Sequence, residues 1–438
     1  MKSQRSHKAV VYLVFLLNLS VVIISWFNAG GDKLLSLSSP QSLSLMISRL
    51  AGLLAMFSML TQLILISRTN FLENCFGLNK LIKAHKWFGI LSFSLVITHL
   101  GGFIGSLYYG NISETLASYQ NAILTWDDLI KAFIAFWLLI AVIFTSAILK
   151  LKAMQYRYWY LTHLLTYGVI ILAIGHQIEI GPTLQNPVTK IYWVAIFLLS
   201  LSLVFYYRFL RPYLNFNKFK FEVESILPNN HDTFSFILKF KYPQKLNIKP
   251  GQFAKFIFLQ KGLWHEMHPF SFSDVSRSSL RVTVKNSGPY TAKLKSQLKV
   301  GTKVIIDGAY GKFTSDSARH KKVLMIAGGV GITPILAISK KMLKSSENIK
   351  LMYFAKTKSD FIFRSELEDL FPADDIKFYA SQEGDGFCDQ SKLKDFCPDV
   401  DSRSVYLCGP PPMMKAIKKQ LKSLKLKSKD IISEEFGF

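Results

Sequence analysis

Acidic residues are scarce in this 438-residue chain: 29 Asp and Glu stand against 53 Lys and Arg, a formal net charge of +24. No aromatic-basic RNA or DNA motif accompanies that surplus, which argues against a nucleic-acid partner. Lys-rich surfaces facing anionic lipid and anionic cofactors account for it instead. Charged residues make up only 19% of the chain and apolar ones 50%, which excludes an ordinary soluble enzyme. Cysteine is nearly absent, with Cys75, Cys388, Cys397 and Cys408 alone. The usual G-x-G-x-x-G dinucleotide fingerprint is missing, and loop 108–127 holds no metal-binding cluster.

What is present is unevenly distributed. Residues from about 10 to 210 form long apolar runs, whereas the chain from 216 onward reads as a mixed globular sequence. Six stretches, near 10–27, 42–66, 85–107, 128–149, 160–180 and 189–209, approach the roughly 20 helical residues that cross a hydrocarbon core of about 30 Å. The first follows Lys2, Arg5 and Lys8 as a signal peptide would. Its length, with no small-x-small cleavage site after Phe27, makes it a retained span. Lys2, Arg5 and Lys8, then Arg68, Lys80 and Lys83, then Lys150, Lys152 and Arg157, then Arg208 and Arg211 all fall on one side. The opposite loops offer little beyond Lys33 and Lys190. The positive-inside rule therefore places the N-terminus and the C-terminal half in the cytoplasm, with the spans in the plasma membrane. All four cysteines then lie on the reducing side, so thiols rather than disulfides are expected.

Four histidines sit in two of the spans: His85 and His99 in the third, His163 and His176 in the fifth. Ionisable residues inside a span point to function. Fourteen residues separate the first pair and thirteen the second, or about 21 and 20 Å of helical rise. Each helix thus presents two imidazoles on roughly one face, one near each membrane surface. The two spans run in the same direction, so His85 matches His163 in depth and His99 matches His176. One lone His would read as a satisfied polar residue between helices. Four in matched register are what two stacked bis-His haems require. Gly89, Gly101, Gly102, Gly168 and Gly175 leave room for flat macrocycles, and Arg49 and Arg68 lie at depths suited to haem propionates.

SRLAG around Arg49, LISRTN around Arg68, HKWFG at 85–89 and YRYWYLTH ending in His163 resemble the ferric reductase-like transmembrane domain shared by NADPH oxidases and ferric-chelate reductases. The resemblance implies the haem ligation above, and it extends over the soluble half.

From 216 to about 316, short β-branched and aromatic runs with turns (FKFEVESIL, DTFSFILKF, QFAKFIFL, LRVTVK, KVIIDGAYG) suggest a small antiparallel barrel. Within it HPFSFSD, His268 to Asp274, resembles the flavin signature of the same reductases. The resemblance implies that Ser271 hydrogen-bonds the reactive edge of FAD while His268, Pro269 and Phe270 shape the strand and contact the cofactor. Downstream, Lys285, Gly288 and Thr291 stand where a turn opens a helix, a place suited to the FAD pyrophosphate.

From 321 the pattern changes to strand–helix alternation, as in an α/β nucleotide-binding domain. GGVGITP, with Gly328, Gly329, Gly331, Thr333 and Pro334, resembles the NAD(P)H site of these reductases. After the strand LMYFA, Lys356, Thr357 and Lys358, with Arg364 beyond, offer charge and a hydroxyl to a 2′-phosphate, so NADPH is expected. The last strand leads into Cys408-Gly409-Pro410, where the resemblance sets the cysteine against the nicotinamide; without that context Cys408 reads as a buried structural thiol. In EEFGF, the resemblance implies that Phe438 covers the flavin until nicotinamide displaces it; without that context it reads as a packed tail.

The expected fold is a multi-domain membrane protein: a six-helix haem-binding transmembrane bundle (1–210), an antiparallel β-barrel FAD domain (211–318) and an α/β NAD(P)H domain (319–438). The parts imply a path from NADPH through FAD and two b-type haems to an external acceptor. Bis-His ligation leaves the iron no open position, so the acceptor is reduced at the haem edge, where Arg49 can stabilise a product anion. Oxygen, giving superoxide, is favoured by the short outer loop. A ferric chelate is the alternative, and a non-catalytic haem sensor or electron-transfer subunit is a reading from a different class.

Overall fold

The structure, a computed structural model, describes residues 2–33, 39–108, 110–126, 128–150, 156–242, 244, 246–345 and 348–435. Its contacts divide the chain into two compact units, Met1–Tyr207 and Arg208–Phe438. Each is described by itself.

The first unit is helical. Its elements are α1 (Lys2–Asn28), α2 (Pro40–Ile66), α3 (Leu78–Ser106), α4 (Ile112–Thr125), α5 (Leu129–Lys150), α6 (Tyr156–Glu179) and α7 (Pro187–Phe205). Among the described residues six helices are long and apolar enough to cross a membrane, α4 not being one of them. A capping box at Ser39 starts α2, with Pro40 in the first turn where its missing N–H costs nothing. Leu53, Met56, Phe57, Leu60 and Leu63 of α2 are buried together with Val22 and Trp26 of α1 and Trp193 of α7. The short connection between α3 and α5 holds α4, which Asn111 caps by accepting from the Ser113 N–H at 2.8 Å. Lys152, used for orientation, lies outside the described residues.

The second unit begins with helix α8 (Arg211–Phe219), so the first strand starts later than FKFEVESIL suggests. Pro212 at the helix start and left-handed Lys220 at its end set those bounds. Six strands follow: β1 (Glu222–Pro228), β2 (Thr233–Lys239), β3 (Phe253–Phe258), β4 (His268–Val275), β5 (Ser279–Lys285) and β6 (Val304–Tyr310). They form one antiparallel sheet in the order β1-β2-β5-β4-β3-β6, and a bridge from Glu222 to Lys303 brings its two edges together. Phe236, Phe256, Phe258 and Phe272 are wholly buried inside it, each worth about 1.5–3 kcal/mol in transfer free energy. Helix α9 (Pro289–Gln297) lies between β5 and β6.

A parallel sheet of order β11-β10-β7-β8-β9 completes the unit, from β7 (Lys322–Gly328), β8 (Asn348–Ala355), β9 (Ile376–Ala380), β10 (Ser404–Gly409) and β11 (Ile431–Glu435). Helices α10 (Ile332–Met342), α11 (Arg364–Leu370), α12 (Gln390–Phe396) and α13 (Pro411–Ser423) connect these strands. The near-continuous apolar run VLMIAG of β7 is buried, as a parallel strand covered on both faces requires.

Candidate functional site

In the membrane unit, α3 and α6 bring the four histidines together in two pairs. The rings of His85 and His163 have centroids 6.1 Å apart, and those of His99 and His176 6.2 Å apart. Trp159 stacks on His163 at 5.0 Å. The Nδ1 atom of His176 is buried without a hydrogen bond in the structure. An axial imidazole nitrogen sits about 2.0–2.1 Å from its metal, so two on one metal put their ring centroids roughly 6.3 Å apart. Both pairs match that spacing. A Cβ at Gly101 or Gly168 would meet no atom within 4 Å, whereas Gly89, Gly102 and Gly175 are packed against Gln62, Ser44 and Asp128, so only two of the five glycines expected to leave room do so. The donor set and the space at those two positions would fit a flat macrocycle held by a pair of imidazoles. Among the described residues no group of three or more His, Cys, Asp or Glu exists to hold a bare ion. Arg49 is half-buried and donates from Nη2 to the Ala29 carbonyl at 2.9 Å, while its Nε is buried with no partner. Arg68 is buried, with left-handed backbone at φ 64°.

In the second unit, β4 carries His268, Pro269, Phe270 and Ser271 as one strand paired with β3. Ser271 is 4% exposed and its Oγ is buried with no hydrogen-bond partner. A buried hydroxyl left so costs about 1–3 kcal/mol, which a cofactor atom would recover. His268 stacks on Tyr290 with centroids 3.7 Å apart, and Nε2 lies 2.9 Å from Glu266 Oε2. Burial lowers the His268 pKa against the opposing effect of Glu266.

The turn before α9 differs from the expectation in its details. Thr291 Oγ1 accepts from the Ser287 and Gly288 N–H groups at 3.0 Å each, so its hydroxyl builds the turn. Lys285 pairs with Asp232 at 3.1 Å, a partner 53 residues away that the motif alone does not disclose. Gly288 opens onto free space, since a Cβ there would meet no atom within 4 Å.

At the parallel sheet, Gly328, Gly329 and Gly331 form the turn between β7 and α10, with Thr333 and Pro334 buried in the first turn of that helix. A Cβ on Gly331 would lie 2.4 Å from the Cys408 carbonyl, so this turn and Cys408-Gly409-Pro410 meet only because the residue is glycine. Cys408 itself is fully buried in the sheet core, and burial, then Glu434, raises its thiol pKa well above the usual value. It is a neutral thiol, and all four cysteines are free and buried. Lys356 and Lys358 are exposed, whereas the Thr357 hydroxyl lies 3.0 Å from Asp360 Oδ2. Arg364 is paired with Glu368 at 2.8 Å. Phe438 lies outside the described residues.

Three acidic residues at this site went unremarked in the sequence. Glu434 of β11 pairs in register with Cys408, and its Oε2 would lie 3.7 Å from a Cβ on Gly311. A strand IIS ending in two acids was the available signal. Asp232 reaches Lys285, and Glu383 accepts from the Lys358 N–H at 3.2 Å. Neither had a local signal.

Three family models cover most of this architecture. Residues 51–174 match the ferric reductase like transmembrane component, 217–326 an FAD-binding domain and 325–419 an oxidoreductase NAD-binding domain. The class is thus a multi-pass membrane oxidoreductase with FAD- and NAD-binding domains. The combination fits the ferric reductase/NADPH oxidase-like family. The glycine betaine monooxygenase reductase subunit of Chromohalobacter salexigens is 29% identical over 229 residues, covering 48% of this chain and 62% of that protein. Ferric reduction oxidase 5 of Arabidopsis thaliana is 24% identical over 306 residues, covering 67% of this chain and 40% of that protein. The chain therefore spans less than two thirds of these relatives' length. Among solved structures, the Amycolatopsis cytochrome P450 reductase aligns with TM-score 0.43 at 20% identity, over 50% of this chain and 69% of that one.

Proposed function

We propose that this protein carries electrons from cytoplasmic NADPH, through FAD and two bis-His haems, to an acceptor on the far side of the plasma membrane, with oxygen reduced to superoxide. The observation that carries the reading is the pairing of His85 with His163 and His99 with His176 at centroid spacings of 6.1 and 6.2 Å. When bound, FAD takes a hydride and gives up electrons singly, and haem carries them one at a time. The chain's own residues bind and orient. The Ser271 hydroxyl meets the flavin edge, Gly288 leaves room at the turn for the FAD pyrophosphate, and the Gly328–Gly331 turn with Gly409 and Pro410 admits the nicotinamide nucleotide. Cys408, a buried neutral thiol, forms an uncharged floor beside that turn. Arg49 supplies positive charge at the depth of the outer histidines, and Phe438 shields the flavin.

Ferric chelate is the second reading of the acceptor, favoured by the likeness to ferric reduction oxidase 5. Purified protein given NADPH and FAD decides between them. Cytochrome c reduction that superoxide dismutase abolishes supports oxygen, and ferrozine-trapped Fe²⁺ insensitive to the dismutase supports the chelate. NADPH is the expected donor because exposed Lys356 and Lys358 flank the nucleotide loop while Asp360 is engaged by Thr357. A kcat/KM ratio of about tenfold for NADPH over NADH, falling toward one in Lys356→Ala/Lys358→Ala, is expected from one charged contact of roughly 1.5 kcal/mol. Equal values in the parent protein refute the nucleotide assignment.

A further inference from the structure

His99 of α3 is anchored through Ser48. His99 Nδ1 lies 2.8 Å from the Ser48 carbonyl and 3.1 Å from the Ser48 hydroxyl, and that hydroxyl donates to the His99 carbonyl at 2.7 Å. A hydroxyl has one proton, so once it is donated to the His99 carbonyl its oxygen faces Nδ1 as an acceptor. Two acceptors around Nδ1 require the proton there, which fixes the tautomer and leaves Nε2 as the basic nitrogen. The fit is close on every side. Ser48 is 1% exposed. A Cβ on Gly52 would stand 2.8 Å from His99 Nδ1, and one on Gly102 would stand 3.0 Å from Ser48 Cβ.

We propose that Ser48 is a positioning residue that fixes the tautomer of His99 and makes its Nε2 a stronger donor to a metal; the proposal rests on the haem reading of the histidine pairs. An acceptor on Nδ1–H raises the basicity of the metal-binding nitrogen and favours the oxidised metal. The carbonyl and hydroxyl of Ser48 both act this way on His99, so a metal held by His99 and His176 would have its potential lowered by Ser48.

The test uses the full-length protein purified in detergent, with haem content from the pyridine haemochrome and potentials from spectroelectrochemical titration. In Ser48→Ala two haems per chain are retained. One of the two potentials rises by roughly 30 mV, a threefold change in the ferric-to-ferrous ratio at about 59 mV per tenfold for one electron. The low-spin EPR signal of the same centre shifts with it. Ser58 provides the control, because its hydroxyl bonds the Phe88 carbonyl at 3.2 Å and Ser92 Oγ at 2.8 Å, bridging the same helices without touching a histidine. Ser58→Ala leaves both potentials unchanged. Unmoved potentials in Ser48→Ala, or an equal shift in Ser58→Ala, would overturn the proposal. Loss of a haem in Ser48→Ala would overturn it as well, because the Ser48 carbonyl, 2.8 Å from His99 Nδ1, is left in place. Fewer than two haems in the parent protein sinks the haem reading itself, and Ser48's role with it.

Discussion

Ser271 shows how a single atom can announce a missing partner. Its hydroxyl is sealed inside the sheet, on a strand whose neighbours satisfy the backbone but offer nothing to Oγ. Nearby hydroxyls are treated otherwise: Ser273 Oγ lies 2.8 Å from Thr283 Oγ1, which in turn lies 2.8 Å from Ser235 Oγ. A sheet that satisfies those and leaves Ser271 unpartnered is arranged for an outside acceptor or donor, and flavin is the proposed one. Ser271→Ala is expected to slow flavin reduction by NADPH about fivefold to tenfold, the worth of one hydrogen bond of roughly 1–1.4 kcal/mol. Haem content should not change. Stopped-flow flavin bleaching measures the first and the pyridine haemochrome the second; an unchanged bleaching rate at saturating FAD removes Ser271 from the site.

Between elements, the decisive contact is an ion cluster that ties the antiparallel sheet to the parallel one. Arg281 of β5 makes two parallel hydrogen bonds to Glu366 of α11, each 2.9 Å, and lies 4.5 Å over the Phe363 ring. Lys340 of α10 reaches Glu366 at 2.7 Å and Asp274 of β4 at 3.3 Å. Burial alone would raise the Glu366 pKa, but hydrogen bonds from Arg281 and Lys340 outweigh it and hold the carboxyl below its usual 4.5. A depressed folded-state pKa contributes stability above the unfolded value, and that contribution is lost as pH falls through the folded one. The cluster is partly open to solvent, so its worth is discounted to about 1 kcal/mol. Glu366→Gln should therefore lower the temperature of flavin release by about 2–4 °C at pH 7. The variant should converge with the parent protein as pH falls below 4.5. Flavin fluorescence on heating reads both effects, and a deficit that persisted undiminished at low pH would refute the charge argument.

Elements are also where sequence and structure part company. The spans were legible because length and apolarity decide them, and the β7–turn–α10 unit because a buried run followed by Gly328, Gly329 and Gly331 leaves few alternatives. Histidine register was legible from helical period alone. The pairing of Lys285 was not legible, since its partner Asp232 comes from the turn before β2, and neither was that of Thr357, whose hydroxyl is taken up within its own loop. The Ser48 contact depends on the rotation of α2 against α3, which no local pattern records. Helix α8 replaced the expected start of a strand because Pro212 favours a helical first turn and the FKF alternation is too short to prevail.

For the whole molecule, the proposed path has an electrical consequence. An electron that enters on the side of Arg208 and Arg211 and leaves beyond His99 and His176 carries one negative charge across the bilayer. Moving one charge against 100 mV costs about 2.3 kcal/mol. Turnover in a sealed vesicle must therefore build a potential that slows it. With the protein in liposomes and NADPH added outside, only molecules whose C-terminal unit faces outward are supplied. An impermeant acceptor enclosed within should be reduced, while the same acceptor confined outside should not. Adding valinomycin with potassium should accelerate NADPH oxidation several-fold by collapsing the opposing potential. His99→Ala should abolish reduction of the enclosed acceptor while flavin bleaching by NADPH continues, because the break then lies beyond the flavin. Reduction of the outside acceptor at the full rate, indifferent to valinomycin, would mean that electrons leave directly from the flavin and that the histidine pairs are not on the path.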